Sequence, residues 1–232
     1  VLIEIQNSKL EKYLTIGSPS NYDNFGHSFD VSNNLENIIV GMPEGGGSTG
    51  EAGSGDAYFY EKVDDKYELV QTFSGGHNTK NEWGISNGHY LGHSVAISAN
   101  GEIFAFSAPS EKNEDGYGYG KVYTYKKVDD KFESLGEIEN FYVERYKGNS
   151  IDLSDDGKTL VTNNSRPTDS SMDNGGDIAV YTWNSGTSTW TMKGNRIKFR
   201  SPNQDLSGPI SISSDGNRIS FNHRTSGKVY IY

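Results

Sequence analysis

Cysteine is absent from all 232 residues. That excludes a disulfide framework and any metal site built on thiolates, and it leaves the redox compartment open. Basic residues are outnumbered 21 to 31, for a net charge of −10. Nucleic acid and anionic membrane surfaces both need a basic footprint, so the balance argues against either as a partner. No apolar run approaches the roughly 20 residues of a membrane span, so no membrane insertion is expected. No signal peptide is seen, and the first residue is Val rather than Met. The chain therefore reads as a mature form or a fragment. Apolar residues make up only 33%, against 28 glycines and 15 tyrosines. That balance suits many short strands with tight turns and little helix. At this length roughly 70% of the unfolded surface can still be buried, so a true core is possible.

What is present is repetition. "FGHSFDVSNNLENIIVGMP" at 25–43 and "LGHSVAISANGEIFAFSAP" at 91–109 share their Gly-His-Ser start, two alternating strands and a closing Pro. The pattern returns after Gly148-Asn149-Ser150 as "IDLSDDGKTLVTNNS" and after Gly208-Pro209 as "ISISSDGNRISFNHR". The four glycines at 26, 92, 148 and 208 lie 66, 56 and 60 residues apart. Each unit reads as a hairpin with its turn chemistry written in, such as Asp156-Gly157 and Asp215-Gly216. A second hairpin follows at 55–73, 120–138 and 176–194, and "GKVYIY" at 227–232 is the first half of a fourth.

Four antiparallel strands repeated at about 60 residues read as β-propeller blades. A tandem array of hairpin modules or a β-sandwich is the competing reading. Each unit is too thin to bury its own faces, and stacking neighbours solves that. The expected fold is all-β: a β-propeller of four-stranded antiparallel blades, three full blades plus partial blades at both ends. The blades lie approximately at 1–17 (partial), 25–73, 91–138, 147–199 and 208–232 (partial), in one domain over 1–232. "VLIEI" adds one strand more than four closed blades need, so either the chain is part of a longer propeller or assembly, or the extra strand sits outside the ring.

The "F/L-G-H-S" starts, the "G-M-P" and "S-A-P" that close the second strand, and "G-x-V-Y-x-Y" in the third resemble the FG-GAP repeat family, the blades of integrin α-subunit-like propellers. The resemblance covers nearly the whole chain and is clearest in the first two full blades. Asn163-Asn164-Ser165 and Asn222-His223-Arg224 depart from it. The turns "SDDGKTL" and "SSDGNRI" also look like those of WD-repeat and TolB-like propellers. The FG-GAP resemblance implies binding or scaffolding, and in its integrin-like form a calcium loop of D-x-D-x-D-G type. Here "SNNLEN", "SANGE", "SDDGK" and "SSDGN" offer too few carboxylates in turns too tight to wrap an ion. No cofactor is therefore expected at these turns. Asp56, Glu114, Asp115, Asp173 and Asp177 remain weak metal candidates without regular ligand spacing.

Strand order sorts the loops onto two faces. One carries short turns that read as structural. The other carries "EGGGSTGEAGSGD" (44–56), "SEKNEDGYGYG" (110–120), "SRPTDSSMDNGGD" (165–177) and "SGGHNTKNEWGISNGHY" (74–90). Long loops on a rigid scaffold are where binding residues concentrate. Trp83, Tyr90, Tyr117 and Tyr119, with Asn81 and Asn113, are the candidate contacts there. His27 and His93 repeat at one blade position and read as structural ties between blades, while His77 and His89 read as exposed loop histidines without a role.

Catalytic motifs are missing: no G-x-S-x-G elbow, no H-E-x-x-H, no phosphate loop. "SDDGKTL" resembles a sialidase-type Asp-box but is one residue short, with Leu160 in place of Trp. The expectation is a non-enzymatic scaffold for protein–protein interaction or structural assembly at an extracellular, particle or virion surface. A carbohydrate-binding adhesin using Trp83 and Tyr117, and a propeller glycoside hydrolase, are the alternatives.

Overall fold

The computed structural model describes residues 24–46, 53–64, 66–77, 88–112, 120–139, 144–167, 176–198, 206, 208–223 and 227–232. Four antiparallel sheets follow one another along the chain as the blades of an all-β propeller. Blade 1 holds β1 (Ser28–Val31), β2 (Asn37–Met42), β3 (Asp56–Val63) and β4 (Lys66–Ser74). Blade 2 holds β5 (Val95–Ile97), β6 (Ile103–Ala108), β7 (Lys121–Val128) and β8 (Lys131–Glu139). Blade 3 holds β9 (Glu144–Leu153), β10 (Thr159–Pro167), β11 (Asp177–Asn184) and β12 (Thr189–Met192), with β13 (Ile197–Lys198) also pairing β11. Blade 4 holds β14 (Ile210–Ile212), β15 (Ile219–His223) and β16 (Lys228–Ile231). The propeller reading stands; the N-terminal partial blade at 1–17 lies outside the described residues.

Each first hairpin is closed by one recurring device. Ser32, Ser98, Ser154 and Ser213 donate their hydroxyls to Asn34, Asn100, Asp156 and Asp215, two residues on. The same hydroxyls accept the N–H groups of Asn37, Ile103, Thr159 and Arg218 at 2.9–3.0 Å. The Asx oxygen in turn accepts the N–H two residues further on. The device pulls the Asp215 carboxyl down to about 2, through the Ser213 hydroxyl and the Asn217 N–H. Removing the completely buried Ser98 hydroxyl strands the Ile103 N–H. Ser98→Ala is expected to cost about 1–3 kcal/mol in a chemical denaturation series, and an unchanged midpoint would dismiss the device as decoration.

Apolar residues alternate to both sides of every inner sheet, so the core lies between blades rather than within them. Ile39, Ala57 and Phe59 on the back of blade 1 meet Val95, Ile97, Phe104 and Phe106 on the front of blade 2. The back of blade 2 meets Ile151, Leu153 and Leu160 of blade 3 in the same way. Val161 and Ile178 of blade 3 then meet Ile210, Ile219 and Phe221 of blade 4. Aromatic rings dominate the first junction: Phe73 lies 5.0 Å from Phe106 and 4.8 Å from Tyr125, centroid to centroid. His27 and His93 meet across this junction with ring centroids 4.9 Å apart.

Polar ties reinforce the stacking. Asp30 accepts the N–H of Val31 in its own strand and of Ile97 in the next blade. Asp152 does the same for Leu153 and Ile212. Ala96 and Ser211 hold the intervening positions, so one Asp serves two blades. Asn163, where the third blade departs from the first two, is 2% exposed. It donates to the carbonyls of Leu206 and Gly208 and accepts the Ser150 N–H. The departure is therefore a blade-to-blade clamp. Trp190 donates to Thr124 of blade 2 at 2.8 Å.

Candidate functional site

A cleft of about 430 Å³ opens between blades 1 and 2, on the side of the long inter-hairpin loops. The end of β4 with Gly75 and Gly76 forms one wall, and Leu91, Phe106, Tyr123 and Tyr125 form the other. The wall at Gly75 has no room for a side chain: a Cβ there would lie 2.1 Å from the Ser54 carbonyl oxygen. His89 enters from the loop joining the blades, and Glu111 from the turn after β6.

Glu111 organises the polar side of the cleft. It is 8% exposed. The Tyr123 hydroxyl sits 2.7 Å from each of its carboxylate oxygens and donates to them. Lys121 Nζ is 3.4 Å from Oε1, and 2.9 Å from Glu137 on the neighbouring strand. His89 Nδ1 is 3.4 Å from Oε2 and accepts the Gly76 N–H at 3.3 Å. An Nδ1 that accepts from a backbone N–H is unprotonated. Burial pushes the His89 pKa down; Glu111 pulls the other way, and His77 and Lys121 add to the fall, leaving the net below the usual value. The imidazole is thus neutral at neutral pH and already faces the carboxylate that would stabilise its cation. Burial first, and then the Glu111 charge and hydrogen bond, raise the Tyr123 pKa, so the phenol keeps its proton.

The cleft lies on the face that strand order assigned to the long loops. Trp83, Tyr117, Tyr119, Asn81, Asn113, Glu114, Asp115 and Asp173 lie outside the described residues. Tyr90 is half-buried with a φ of 55° and binds its backbone N–H to Gly53, so it braces the loop next to His89. Asp56 is buried and accepts the Ser74 hydroxyl at 2.6 Å. Asp177 is buried against Arg196 at 2.9 Å. Among the described residues no group of three or more His, Asp or Glu is placed to hold a metal. The reading of His89 as an exposed loop histidine is corrected, because packing between Gly76 of blade 1 and Glu111 leaves it half-buried. A signal for Glu111 existed: aligning "G-M-P" with "S-A-P" sets Glu111 where blade 1 has Gly45, a charge at a position the repeat does not require.

No family model matches the chain, and no curated protein matches it. Among solved structures, it is similar to a protein from Bacteroides uniformis provisionally named a 6-phosphogluconolactonase, with a TM-score of 0.57 at 16% identity. The match covers 89% of this chain and 49% of that one, so the chain spans about half the length of the structure it resembles. A provisionally named TolB from Agrobacterium tumefaciens gives a TM-score of 0.47 at 16% identity, covering 90% of this chain and 57% of that one. A second such lactonase, from Bacteroides fragilis, gives 0.43 at 15%, covering 87% and 64%. At these identities the likeness establishes the β-propeller. The expectation of a non-enzymatic interaction or assembly scaffold is corrected on one ground: the Bacteroides uniformis propeller bears the name of an enzyme.

Proposed function

We propose that the cleft between blades 1 and 2 binds a small, polar, hydroxylated molecule and hydrolyses an ester or lactone bond in it. The observation that supports this reading is a neutral imidazole set against a buried, hydrogen-bonded carboxylate in an open cleft. Such a pair is a general base whose protonated form is stabilised as it arises. His89 Nδ1 gives up the Gly76 N–H and takes a proton from water in its place as the water oxygen attacks the carbonyl carbon. The carbon–oxygen bond to the leaving group then breaks, and the same proton passes to the departing alkoxide, giving a hydroxy acid from a lactone. Glu111 positions His89 and balances its charge, and Tyr123 holds Glu111. The volume suits a single sugar-sized ring. The lactonase name of the Bacteroides uniformis protein agrees with this chemistry and belongs to that protein.

The test is acid release from a panel of sugar δ-lactones and small esters, with binding followed by calorimetry. Turnover that falls about 100-fold or more in His89→Ala is expected, with a comparable fall in Glu111→Gln. Because His89 must be unprotonated to act and its pKa lies below 6.5, activity is expected to rise with pH along a limb centred below that value. No turnover by the wild-type chain on any member of the panel, or turnover indifferent to His89→Ala, would sink the reading.

A further inference from the structure

The two outer faces of the blade series are complementary to one another. At each internal junction the first inward residue of a blade is covered by the blade before it: Val95 is 7% exposed, Ile151 4% and Ile210 4%. The corresponding residue of blade 1, Phe29, is 72% exposed. The back faces show the converse. Ala57, Val122 and Ile178 are at most 1% exposed, whereas their counterpart in blade 4, Val229, is 72% exposed and its neighbour Ile231 76%. Within one chain these two faces therefore do not cover each other.

Their hydrogen-bonding ends also match. At the hairpin turns, each blade donates one N–H to the next blade's carbonyl: Asn33 to Ala99, Ala99 to Asp155, and Asp155 to Ser214. The series ends with the Ser214 N–H on blade 4 and begins with the Asn33 carbonyl on blade 1. The alternating aspartates add a register. Blade 3 follows the Asp-less blade 2 because Asp152 satisfies its own Leu153 N–H. Blade 4 carries Ser211 at the aspartate position, and blade 1 satisfies its own Val31 N–H with Asp30. A junction from blade 4 to a blade 1 thus has the chemistry of the junction from blade 2 to blade 3.

We propose that two copies of this chain associate head to tail, the back face of blade 4 in each covering the front face of blade 1 in the other. Such contacts are heterologous, and two of them close a symmetric ring. Phe29 inserts where Ile151 inserts at the internal junction, and Val229 and Ile231 become buried beneath it.

The test is light scattering on residues 1–232 at about 100 µM, with Phe29→Asp and Ile231→Asp. The wild type is expected at twice 25.6 kDa, and each variant alone at 25.6 kDa. Both side chains are exposed within one chain, so neither change disturbs the internal core; matching thermal melts check this, and Phe29→Ser with Val229→Ser repeat the test without added charge. Mixing the two Asp variants leaves one intact junction, so a two-copy species is expected to return. A single-copy wild type, variants that keep the doubled mass, or a mixture that stays single-copy would each overturn the proposal.

Discussion

Gly92→Ala is expected to cost about 3–5 kcal/mol, a large share of the roughly 5–15 kcal/mol by which folded domains are stable. Gly92 opens the second blade with a φ of +83°, a region that an L side chain occupies only under strain. Its α-carbon also sits where blade 1 comes closest. A Cβ there would lie 2.2 Å from the Asp56 carbonyl oxygen, a backbone atom that cannot rotate away. The Gly92 N–H is bound to the Ser107 carbonyl, and its own carbonyl accepts the Ser28 hydroxyl at 2.8 Å, so the segment is pinned from both sides. Gly26, with a φ of +82°, has nothing within 4 Å of a built Cβ, so Gly26→Ala suffers the backbone term alone, about 1–2 kcal/mol. Denaturant titration of the two variants separates backbone strain from crowding. Equal losses would mean that the blade junction tolerates the extra carbon.

Asp152→Asn is expected to reverse its effect with pH. The Asp152 carboxyl is pushed up to about 6 by burial, against the opposing hydrogen bonds from the Ile212 and Leu153 N–H groups; the Asp30 and Asp155 charges add to the rise. The folded state therefore holds this proton more tightly than the unfolded chain, whose carboxyl titrates near 3.8. Between those values folding takes up a proton, so stability from this group is full below about 4 and is lost as pH rises through 6. The interval is worth on the order of 3 kcal/mol. Asparagine cannot ionise, but it offers a single acceptor oxygen to two N–H groups. The variant is expected to be the less stable protein at pH 4.5 and to gain on wild type by roughly 2 kcal/mol by pH 7. A difference between the two proteins that does not move with pH would show that Asp152 carries no excess proton affinity.

Much of the blade architecture was legible because its causes are local. Ser98, Asn100 and Gly101 build their turn within four residues, so the turn can be read from the letters. The alternation of Val95, Ala96 and Ile97 states a two-sided strand, and the return of the pattern after each Gly states a repeat. The side bearing long loops could be assigned from strand order alone. The cleft could not. His89 and Glu111 are 22 residues apart and meet because the β5–β6 hairpin sets its two flanks side by side, with the Ser110 N–H bound to the His89 carbonyl. Glu111 and Tyr123 are 12 apart and meet because β6 and β7 pair in register, with Phe106 opposite Tyr123. Neither relation leaves a spacing motif. His89 and Glu111 sit at the roots of the long loops, where the sheet holds them.

By itself the sequence determined an all-β repeat of hairpins, because turn residues and two-residue periodicity act over short distances and are written consecutively. Tertiary structure decided which carboxylate meets which histidine, through the pairing of two strands whose flanks carry no spacing motif, and which Asn becomes a clamp and which apolar faces remain uncovered, through stacking between blades some 60 residues apart, where desolvation and contact are set by neighbours in space.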